Sequence, residues 1–274
     1  MTTPALSSYV DRLPTKGTFS IWAGPLEGPA ALTHDAAAQH YAASTMKLAL
    51  VIAAYRRADE GTLDLDTQVT VHSDFESVVA GARYEMDRSE DSDEQTWSRM
   101  GTQVALRWLA NRAIVKSGNL ATNLLLEAVG LSAVAETLAL IGTKDTVVAR
   151  GIEDAPARDA GLQNLVTAAD LALTLRELAS HRVASAQSCQ EILATLAAQQ
   201  VNDALPPGLP PGTKVAHKSG WVTGISHDAG IIYPADTPPY ILVVCTTSTL
   251  SEDESLKVIT GAAAASWQDR GEIS

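Results

Sequence analysis

Cysteine is nearly absent from this sequence, which has only Cys189 and Cys245 among its 274 residues. Two thiols form at most one bridge, and this excludes both a disulfide framework and a cysteine-rich metal site. Each cysteine lies among apolar residues. We therefore expect both side chains to be buried thiols.

Positive charge is also scarce, with 20 Lys and Arg against 32 Asp and Glu and a formal net charge of -12. Such a surface repels phosphate backbones and anionic lipids, and no local run of Lys and Arg offsets the repulsion. Long apolar runs are missing too, since the longest, residues 48–55, is too short to span a bilayer. We expect neither a nucleic acid nor a membrane as partner.

The start of the chain, residues 1–12, lacks the basic start, the long apolar stretch and the small-residue cleavage site of a secretory leader. The chain as it begins at Met1 is therefore predicted to be cytoplasmic. An extracytoplasmic location would require that a leader was removed ahead of Met1.

The composition is otherwise that of an ordinary globular protein, with 46% hydrophobic and 19% charged residues. A length of 274 residues indicates one large unit or two entwined subdomains with a sizeable core. Strand patterns occur near both ends of the chain, at residues 18–23, 30–33, 214–218, 228–233 and 240–247. Helix patterns dominate the middle and close the chain, at residues 44–60, 101–116, 121–129, 132–141, 168–180, 188–200 and 252–267.

Strands at both ends around a helical middle predict that the terminal segments share one sheet. We divide the chain into a sheet-containing subdomain, residues 1–43 and 203–274, and an inserted helical subdomain, residues 44–202. Two segments are predicted to be loops. Residues 148–165 lack periodicity and are expected to form a long surface loop. Residues 85–94 hold six carboxylates and one Arg, which favours a solvated acidic surface over a cation site.

The first chemical signal is Ser44-Thr45-Met46-Lys47, at the start of the predicted helix 44–60. A serine at a helix N-terminus lies in the positive end of the helix dipole, and a lysine three residues on lies on the same face. A hydroxyl nucleophile needs a base, and a lysine can be that base when burial or a second cation lowers its pKa. Alone, the pattern fits equally well an N-cap serine beside a solvated lysine.

Two further short motifs follow in the chain. Ser117-Gly118-Asn119 falls between two predicted helices, and Lys218-Ser219-Gly220 lies on a predicted strand. Their order and placement match the penicillin-recognising set of Ser-x-x-Lys, Ser-Asp-Asn and Lys-Thr-Gly. The chain therefore resembles the class A β-lactamases and the related penicillin-binding serine hydrolases, and the likeness extends over nearly its whole length. It implies an α/β protein of the α+β type with a β-lactamase/DD-peptidase-like fold: an antiparallel sheet flanked by terminal helices, an inserted all-helical subdomain, and the active site at their seam.

The resemblance also implies a role for each motif residue. Ser44 would be the nucleophile that forms an acyl-enzyme, Lys47 a candidate base for it, and Ser117 the relay that protonates the leaving nitrogen. Asn119 would hydrogen-bond the substrate's amide side chain and help to hold the lysine base.

On the strand of the third motif, Lys218 and Ser219 would bind a substrate carboxylate, and the charge of Lys218 would lower the pKa of the lysine base. Gly220 would let the strand edge approach the acyl group. The N–H of Trp221 would complete the oxyanion hole together with the N–H of the nucleophile. The implied partner is a small anionic acyl substrate. No cofactor and no metal are implied, and the oligomeric state stays open.

The sequence departs from the family pattern at two places. Gly118 stands where the family usually has Asp, which removes a carboxylate that braces the loop. The second departure is in the loop 148–165, where class A enzymes carry Arg-x-Glu-x-x-Leu-Asn and the Glu activates the deacylating water. This chain has Arg150-Gly151-Ile152-Glu153-Asp154, with Glu153 one place late and no Leu-Asn after it. Glu153 is our candidate for the base and Asp154 a weaker one, and the alternative that both are solvated loop carboxylates stays open.

Histidines occur in two further groups with Asp or Glu nearby. A serine–histidine–aspartate site using His227 and Asp228 lacks a nucleophile motif, so we expect hydrogen bonding at the strand end for these residues and for His217. His72, Asp74 and Glu76 alternate as strand neighbours do, but no further metal ligand is evident.

Three functions follow as hypotheses. The first is a β-lactamase-like serine hydrolase that acts on a β-lactam or a related amide or ester through Ser44. The second is a carboxypeptidase, esterase, amidase or acyltransferase that deacylates slowly on another acyl donor, because a missing base slows hydrolysis of the acyl-enzyme. The third is a catalytically silent binding domain that keeps the fold and pocket.

Overall fold

Strands from both ends of the chain form one five-stranded antiparallel sheet in the computed structural model, which describes residues 3–274. Across the sheet, the order is β2 (Leu32–His34), β1 (Gly17–Pro25), β11 (Tyr240–Ser248), β10 (Ile225–Tyr233) and β9 (Lys214–Val222). Smaller two-stranded ladders use β3 (His40–Tyr41), β4 (Gln68–Thr70), β5 (Asp74–Glu76), β6 (Arg83–Glu85), β7 (Gln103–Ala105) and β8 (Leu165–Val166). The predicted sharing of one sheet by the terminal segments is confirmed, and β9 lies at its edge.

Eleven α-helices are present within the described residues. They are α1 (Pro4–Val10), α2 (Lys47–Asp59), α3 (Glu94–Trp97), α4 (Leu106–Val115), α5 (Asn119–Val129), α6 (Leu131–Ile141), α7 (Ala155–Asp159), α8 (Ala168–Ala179), α9 (Ala186–Ala197), α10 (Glu252–Gln268) and α11 (Arg270–Ile273). No single helix in residues 3–274 is long and apolar enough to cross a membrane, and the consecutive pair α5 and α6, which reaches that length together, is bent by 87°.

The sheet separates two hydrophobic cores because side chains alternate along each strand. On β11, Val243 belongs to the core shared with the helical middle of the chain, whereas Leu242 belongs to the core under the terminal helices. Ile259 of α10 and Leu6 of α1 pack in that second core. The fold is therefore the expected one, a sheet between terminal helices and a helical subdomain.

Helix α2 is buried on all sides, as its apolar sequence predicts. Every residue from Lys47 to Tyr55 is buried, and the helix packs against α4, α5, α6 and α9. The helix begins one turn later than predicted, because Ala43–Met46 form a 3-10 turn that leads into it. This turn holds the serine of the first motif.

Two predictions about local structure are wrong in detail. The predicted helix 101–116 begins only at Leu106, because Gln103–Ala105 pair with β4 as a strand. The predicted surface loop 148–165 contains the short helix α7 and is largely fixed by buried polar side chains. Arg150, Asp154 and Asn164 are at most 4% exposed there.

The acidic segment 85–94 is only partly the solvated surface we predicted. Asp93 is 1% exposed and forms a salt bridge with Arg112, and Asp91 accepts hydrogen bonds from backbone N–H groups at the start of α5. Carboxylates with such partners stabilise local structure. The segment therefore packs against the motif 117–119.

Candidate active site

Ser44 lies in the 3-10 turn, beside the edge strand β9. The preceding residue, Ala43, has a φ of 44°, a conformation that L-residues rarely adopt. Gly220 of β9 packs directly on this turn, since a Cβ atom built at that position would lie 2.8 Å from the backbone nitrogen of Ser44 and 2.9 Å from that of Thr45. The glycine of the third motif thus allows the strand to approach the backbone of the turn that holds Ser44.

Lys47 is fully buried behind the site and hydrogen-bonded to the second motif. Its Nζ donates to the Ser117 carbonyl at 2.6 Å and to Asn119 Oδ1 at 2.8 Å, and lies 3.4 Å from Ser117 Oγ. Burial lowers the pKa of this amine well below its usual value, and the charge of Lys218 lowers it further. In its neutral form a lysine amine has two N–H donors and one lone pair, and the lone pair can accept a proton.

Lys218 approaches Ser117 from the strand β9 and is also fully buried. Its Nζ donates to Ser117 Oγ at 3.0 Å and to the Ser219 carbonyl at 2.7 Å. Burial lowers the pKa of this amine to about 7, against the opposing effect of Asp228. The structure thus brings the lysines of two motifs to one serine hydroxyl.

Ser117 occupies the sharp turn between α4 and α5. Its φ is 55°, its side chain is 2% exposed, and its Oγ accepts the hydrogen bond from Lys218. Strained backbone of this kind persists only when the surroundings fix it. Helix α5 starts immediately after the turn, as predicted for a motif between two helices, so Asn119 is its first residue.

One cavity of about 800 Å³ connects these elements. Ser44, Ser117, Asn119, Glu153 and Trp221, all predicted site residues, line it. Residues after β11, including Leu250, Ser251 and Glu252, also line it. The remaining predicted residues lie behind this lining or beside it.

Ser219 does not line this main cavity. Its Oγ is buried without a hydrogen-bond partner among residues 3–274, and the residue lines a small neighbouring cavity. Trp221 and Ser226 line both cavities. A buried hydroxyl without a partner is costly, so a ligand atom at this position would satisfy it.

Glu153 lies in the cavity wall with one carboxylate oxygen occupied and the other free. Its Oε2 accepts the Asp87 N–H at 2.8 Å, whereas Oε1 is buried without a partner in the described part of the chain. Burial raises the pKa of this carboxyl; the N–H of Asp87 lowers it, and the charge of Asp91 raises it. The residue has a φ of 62°, so it is the third non-glycine lining residue, with Ala43 and Ser117, in a left-handed conformation.

Asp154, the weaker candidate for the base, has a structural role. Its Oδ1 accepts hydrogen bonds from Ser77 Oγ at 2.7 Å and from the Ala157 N–H at 3.0 Å, and its Oδ2 accepts from the Val78 N–H. The carboxylate therefore caps α7 and ties it to residues 77–78. The same contacts exclude a solvated loop carboxylate at this position.

The loop 150–154 is held by a residue to which sequence reasoning assigned no role. Asn123 Oδ1 accepts the Ile152 N–H at 2.8 Å, and Nδ2 donates to the Ile152 carbonyl at 2.9 Å. Tyr84 adds a contact on Gly151, where a Cβ atom would collide with the tyrosine hydroxyl. One sequence signal was present: Asn119 and Asn123 are four residues apart and share a helix face.

The histidines near the third motif form buried hydrogen bonds, in line with our expectation. His217 Nδ1 lies 2.9 Å from Asp228 Oδ1, and His227 Nε2 lies 2.9 Å from the Tyr41 carbonyl. Burial lowers the pKa of His227 to about 4, so this imidazole is neutral near pH 7. The carboxylate of Asp228 is hydrogen-bonded to His217 and accepts the N–H of Leu205.

Cys189 and Cys245 are buried and unpaired, as expected. His72 contacts Glu127, with 2.9 Å between Nε2 and Oε2, and its Nδ1 lies 2.9 Å from the Asp74 carbonyl. No cluster of three or more His, Cys, Asp or Glu arranged to hold a metal ion occurs in residues 3–274.

Comparisons with known proteins agree with this fold. The model of a β-lactamase enzyme family matches residues 5–269. The structure is similar to a β-lactamase from Sphaerobacter thermophilus, with a TM-score of 0.82 and 26% identity over 99% of this chain and 98% of that one. It is also similar to an ancestral class A β-lactamase of Gram-negative bacteria, with a TM-score of 0.80 and 25% identity over 97% and 98% of the chains. PBP-A shares the fold at 20% identity, with a TM-score of 0.80 over 98% and 95%. No curated protein sequence matches.

The fold and the three motifs are therefore those of the class A β-lactamase-like serine hydrolase family. The chain belongs to the β-lactamase enzyme family, whose model covers nearly its full length.

Proposed function

We propose that this protein is a serine hydrolase that forms an acyl-enzyme at Ser44 with a carboxylate-bearing β-lactam or a related amide or ester. The observation that carries the proposal is the hydrogen-bonded group of Lys47, Ser117 and Lys218, two buried lysines around one serine hydroxyl next to the nucleophile turn. Burying two amines is costly, and a fold retains such groups mainly where they bind or react. A silent binding domain has no need of them.

Acylation starts with the attack of Ser44 Oγ on the substrate carbonyl carbon. The hydroxyl proton passes to the neutral amine of Lys47 as the C–O bond forms, and the carbonyl oxygen becomes an oxyanion. The N–H groups of Ser44 and Trp221 stabilise that charge. The substrate carboxylate binds near Lys218, whose positive charge attracts it. It also accepts a hydrogen bond from the Ser219 hydroxyl, which has no other partner among the described residues.

The leaving nitrogen is protonated through Ser117. As the C–N bond breaks, the Ser117 hydroxyl donates its proton to the nitrogen and recovers one from Lys47, whose Nζ lies 3.4 Å away. This returns Lys47 to the neutral state. Asn119, which contacts Lys47, binds the amide side chain of the substrate.

Deacylation requires a water and a base that takes its proton. We assign this role to Glu153, because its Oε1 is free in the cavity wall and its pKa is raised. The water adds to the ester carbonyl, its proton passes to the carboxylate, and Ser44 leaves with a proton returned by the base.

A second candidate function is favoured by one observation in the same loop. Ile152 stands at the position where the pattern Arg-x-Glu has glutamate, and one carboxylate oxygen of Glu153 already accepts the N–H of Asp87. A protein with this loop acylates normally and deacylates slowly, so it acts on its natural acyl donor as a transferase, carboxypeptidase or esterase and retains β-lactams as adducts.

Intact-protein mass spectrometry after mixing with a penicillin, together with turnover of a chromogenic cephalosporin, separates these functions. We expect an adduct of one penicillin per chain that is absent in Ser44→Ala and unchanged in Ser132→Ala, an exposed serine at the start of α6. Rapid turnover identifies a β-lactamase, and a long-lived adduct identifies the second function. Esterase activity without any adduct would contradict the β-lactam assignment, and the absence of both reactions would leave the binding domain.

A further inference from the structure

The missing carboxylate of the second motif has a counterpart elsewhere in the chain. Gly118 stands where a carboxylate is usual, and a Cβ atom built there would lie 2.9 Å from the Asp93 Cβ and 3.1 Å from Asp93 Oδ2. The space beside residue 118 is thus filled by the side chain of Asp93. The glycine is required by this arrangement, since a larger residue would displace the carboxylate.

Asp93 holds the end of helix α4. Its Oδ2 accepts from Arg112 Nε at 2.9 Å, and a second, close contact joins its Oδ1 to Arg112 Nη2, so the pair is bidentate and buried. The Arg112 carbonyl in turn accepts the N–H of Gly118 at 3.2 Å. The carboxylate therefore fixes the residue that supports the turn at Ser117.

Asp91, two residues earlier, holds the start of helix α5. Its Oδ1 accepts the Asn119 N–H at 2.9 Å, and its Oδ2 accepts the Leu120 N–H at 2.8 Å. It also accepts from Trp97 Nε1 at 2.9 Å, which fixes the carboxylate itself. A negative charge at this helix end is favoured by the free N–H groups there.

Backbone contacts in the same segment complete the attachment. The Glu90 carbonyl accepts from Asn119 Nδ2 at 3.0 Å, and Ser92 Oγ donates to the Lys116 carbonyl at 2.6 Å. The side chain of Asn119 is thus held on one side by Lys47 and on the other by segment 90–93. Segment 90–93 thus contacts the residues on both sides of the strained turn at Ser117.

We propose that Asp91 and Asp93 are positioning residues for Ser117 and Asn119, and that Asp93 replaces the motif carboxylate that Gly118 cannot supply. Neither aspartate contacts the reacting atoms. They act through the helix ends, which hold the serine hydroxyl between the two lysines. This proposal rests on the proposed function for its kinetic readout.

The decisive test moves the carboxylate back to the motif. The acylation rate constant with saturating penicillin is measured for Asp93→Gly, Asp93→Asn and the double variant Asp93→Gly/Gly118→Asp. We expect the two single variants to acylate about tenfold to a hundredfold more slowly, because a small misplacement of a reacting group has that effect. The double variant should recover most of the loss. Asp236→Asn, which removes an exposed carboxylate paired with Arg270, is the matched control and should acylate normally.

A purely structural role predicts another outcome. Thermal stability would then fall in Asp93→Asn while the acylation rate constant, measured well below the melting temperature, stays at the wild-type value; this result overturns the proposal. A folded double variant that is as slow as Asp93→Gly overturns it as well. If the double variant does not fold, the rate constant of Asp93→Asn decides.

A second measurement distinguishes failure of this proposal from failure of the proposed function. If the unaltered protein forms no adduct with any penicillin, the acyl-enzyme assignment falls, and amide hydrogen exchange tests the attachment alone. Asp91→Ala should then speed exchange at the N–H groups of Asn119 and Leu120 by about tenfold or more, because each loses its acceptor. Exchange equal to that of the unaltered protein overturns the proposal.

Discussion

The side-chain amide of Asn123 holds both backbone polar groups of Ile152, with its Oδ1 2.8 Å from the N–H and its Nδ2 2.9 Å from the carbonyl oxygen. This double contact fixes the position of residue 152 in the wall of the cavity that contains Ser44. The side chain at that position is an isoleucine, which cannot accept a proton. The loop is therefore built to hold a residue at the cavity and carries there a group without acid–base chemistry.

We predict that Ile152→Glu speeds deacylation. A carboxylate at this fixed backbone position can activate a water, and general bases contribute about a hundredfold or more to such steps. The rate constant for decay of the penicillin adduct, followed by intact-protein mass spectrometry, measures the effect. Ile152→Gln has the same size without a base and should decay like the unaltered protein. Equal decay in the glutamate and glutamine variants would show that residue 152 does not reach the water.

We predict that Glu153→Gln slows decay of the adduct by about tenfold or more and leaves its formation unchanged. Glutamine can still accept the Asp87 N–H through its amide oxygen, so the loop contact is kept while the base is lost. Because burial raises the pKa of Glu153, the decay rate should also fall as the pH is lowered through that pKa, where the carboxylate gains its proton. An unchanged decay rate in the variant removes Glu153 from the mechanism.

The sequence was sufficient for the features that depend on local pattern and motif order. The burial of α2 follows from its apolar residues on all sides, and the resemblance to the class A β-lactamases implied that Lys47, Ser117 and Lys218 meet in one site. The predicted start of α4 was wrong, because residues 103–105 form a strand by pairing with residues 68–70, which are distant in the chain.

The supporting residues of the site could not be predicted in the same way. Asp91 and Asp93 lie in a segment whose composition resembles a solvated acidic loop, and only their distant partners make them structural. Arg112 and the N–H groups at the start of α5 supply those partners. A charge becomes buried when a fold brings it a counter-charge or free donors, and the local sequence around the charge carries no sign of either.

The acylation rate should depend on pH through Lys218. Burial lowers the pKa of this amine to about 7, so its positive charge is present below that pH and is lost as the pH rises through it. The pH dependence of the second-order rate constant for acylation reflects the ionisation of groups in the free protein. For a penicillin with its carboxylate, this constant should fall with rising pH above about 7. The methyl ester of the same penicillin has no charge to be bound and should lack this decrease. A decrease of equal size for acid and ester would assign the titration to another group.

We predict that Gly220→Ala impairs acylation through the approach of β9 to the nucleophile turn. The added Cβ atom would lie 2.8 Å from the Ser44 nitrogen and 2.9 Å from that of Thr45, and backbone atoms cannot rotate away as a side chain does. The strand end must therefore shift from the turn, which moves the N–H of Trp221 relative to that of Ser44.

Gly271→Ala is the matched control for this change, because a Cβ atom there meets no other atom within 4 Å. We expect the acylation rate constant of Gly220→Ala to fall about tenfold to a hundredfold, and that of Gly271→Ala to stay at the wild-type value. The variant should remain folded, since the altered contact lies at an edge strand. If Gly220→Ala acylates as fast as the unaltered protein, the close approach of β9 has no part in catalysis, and the oxyanion would have to be stabilised by groups other than the N–H of Trp221.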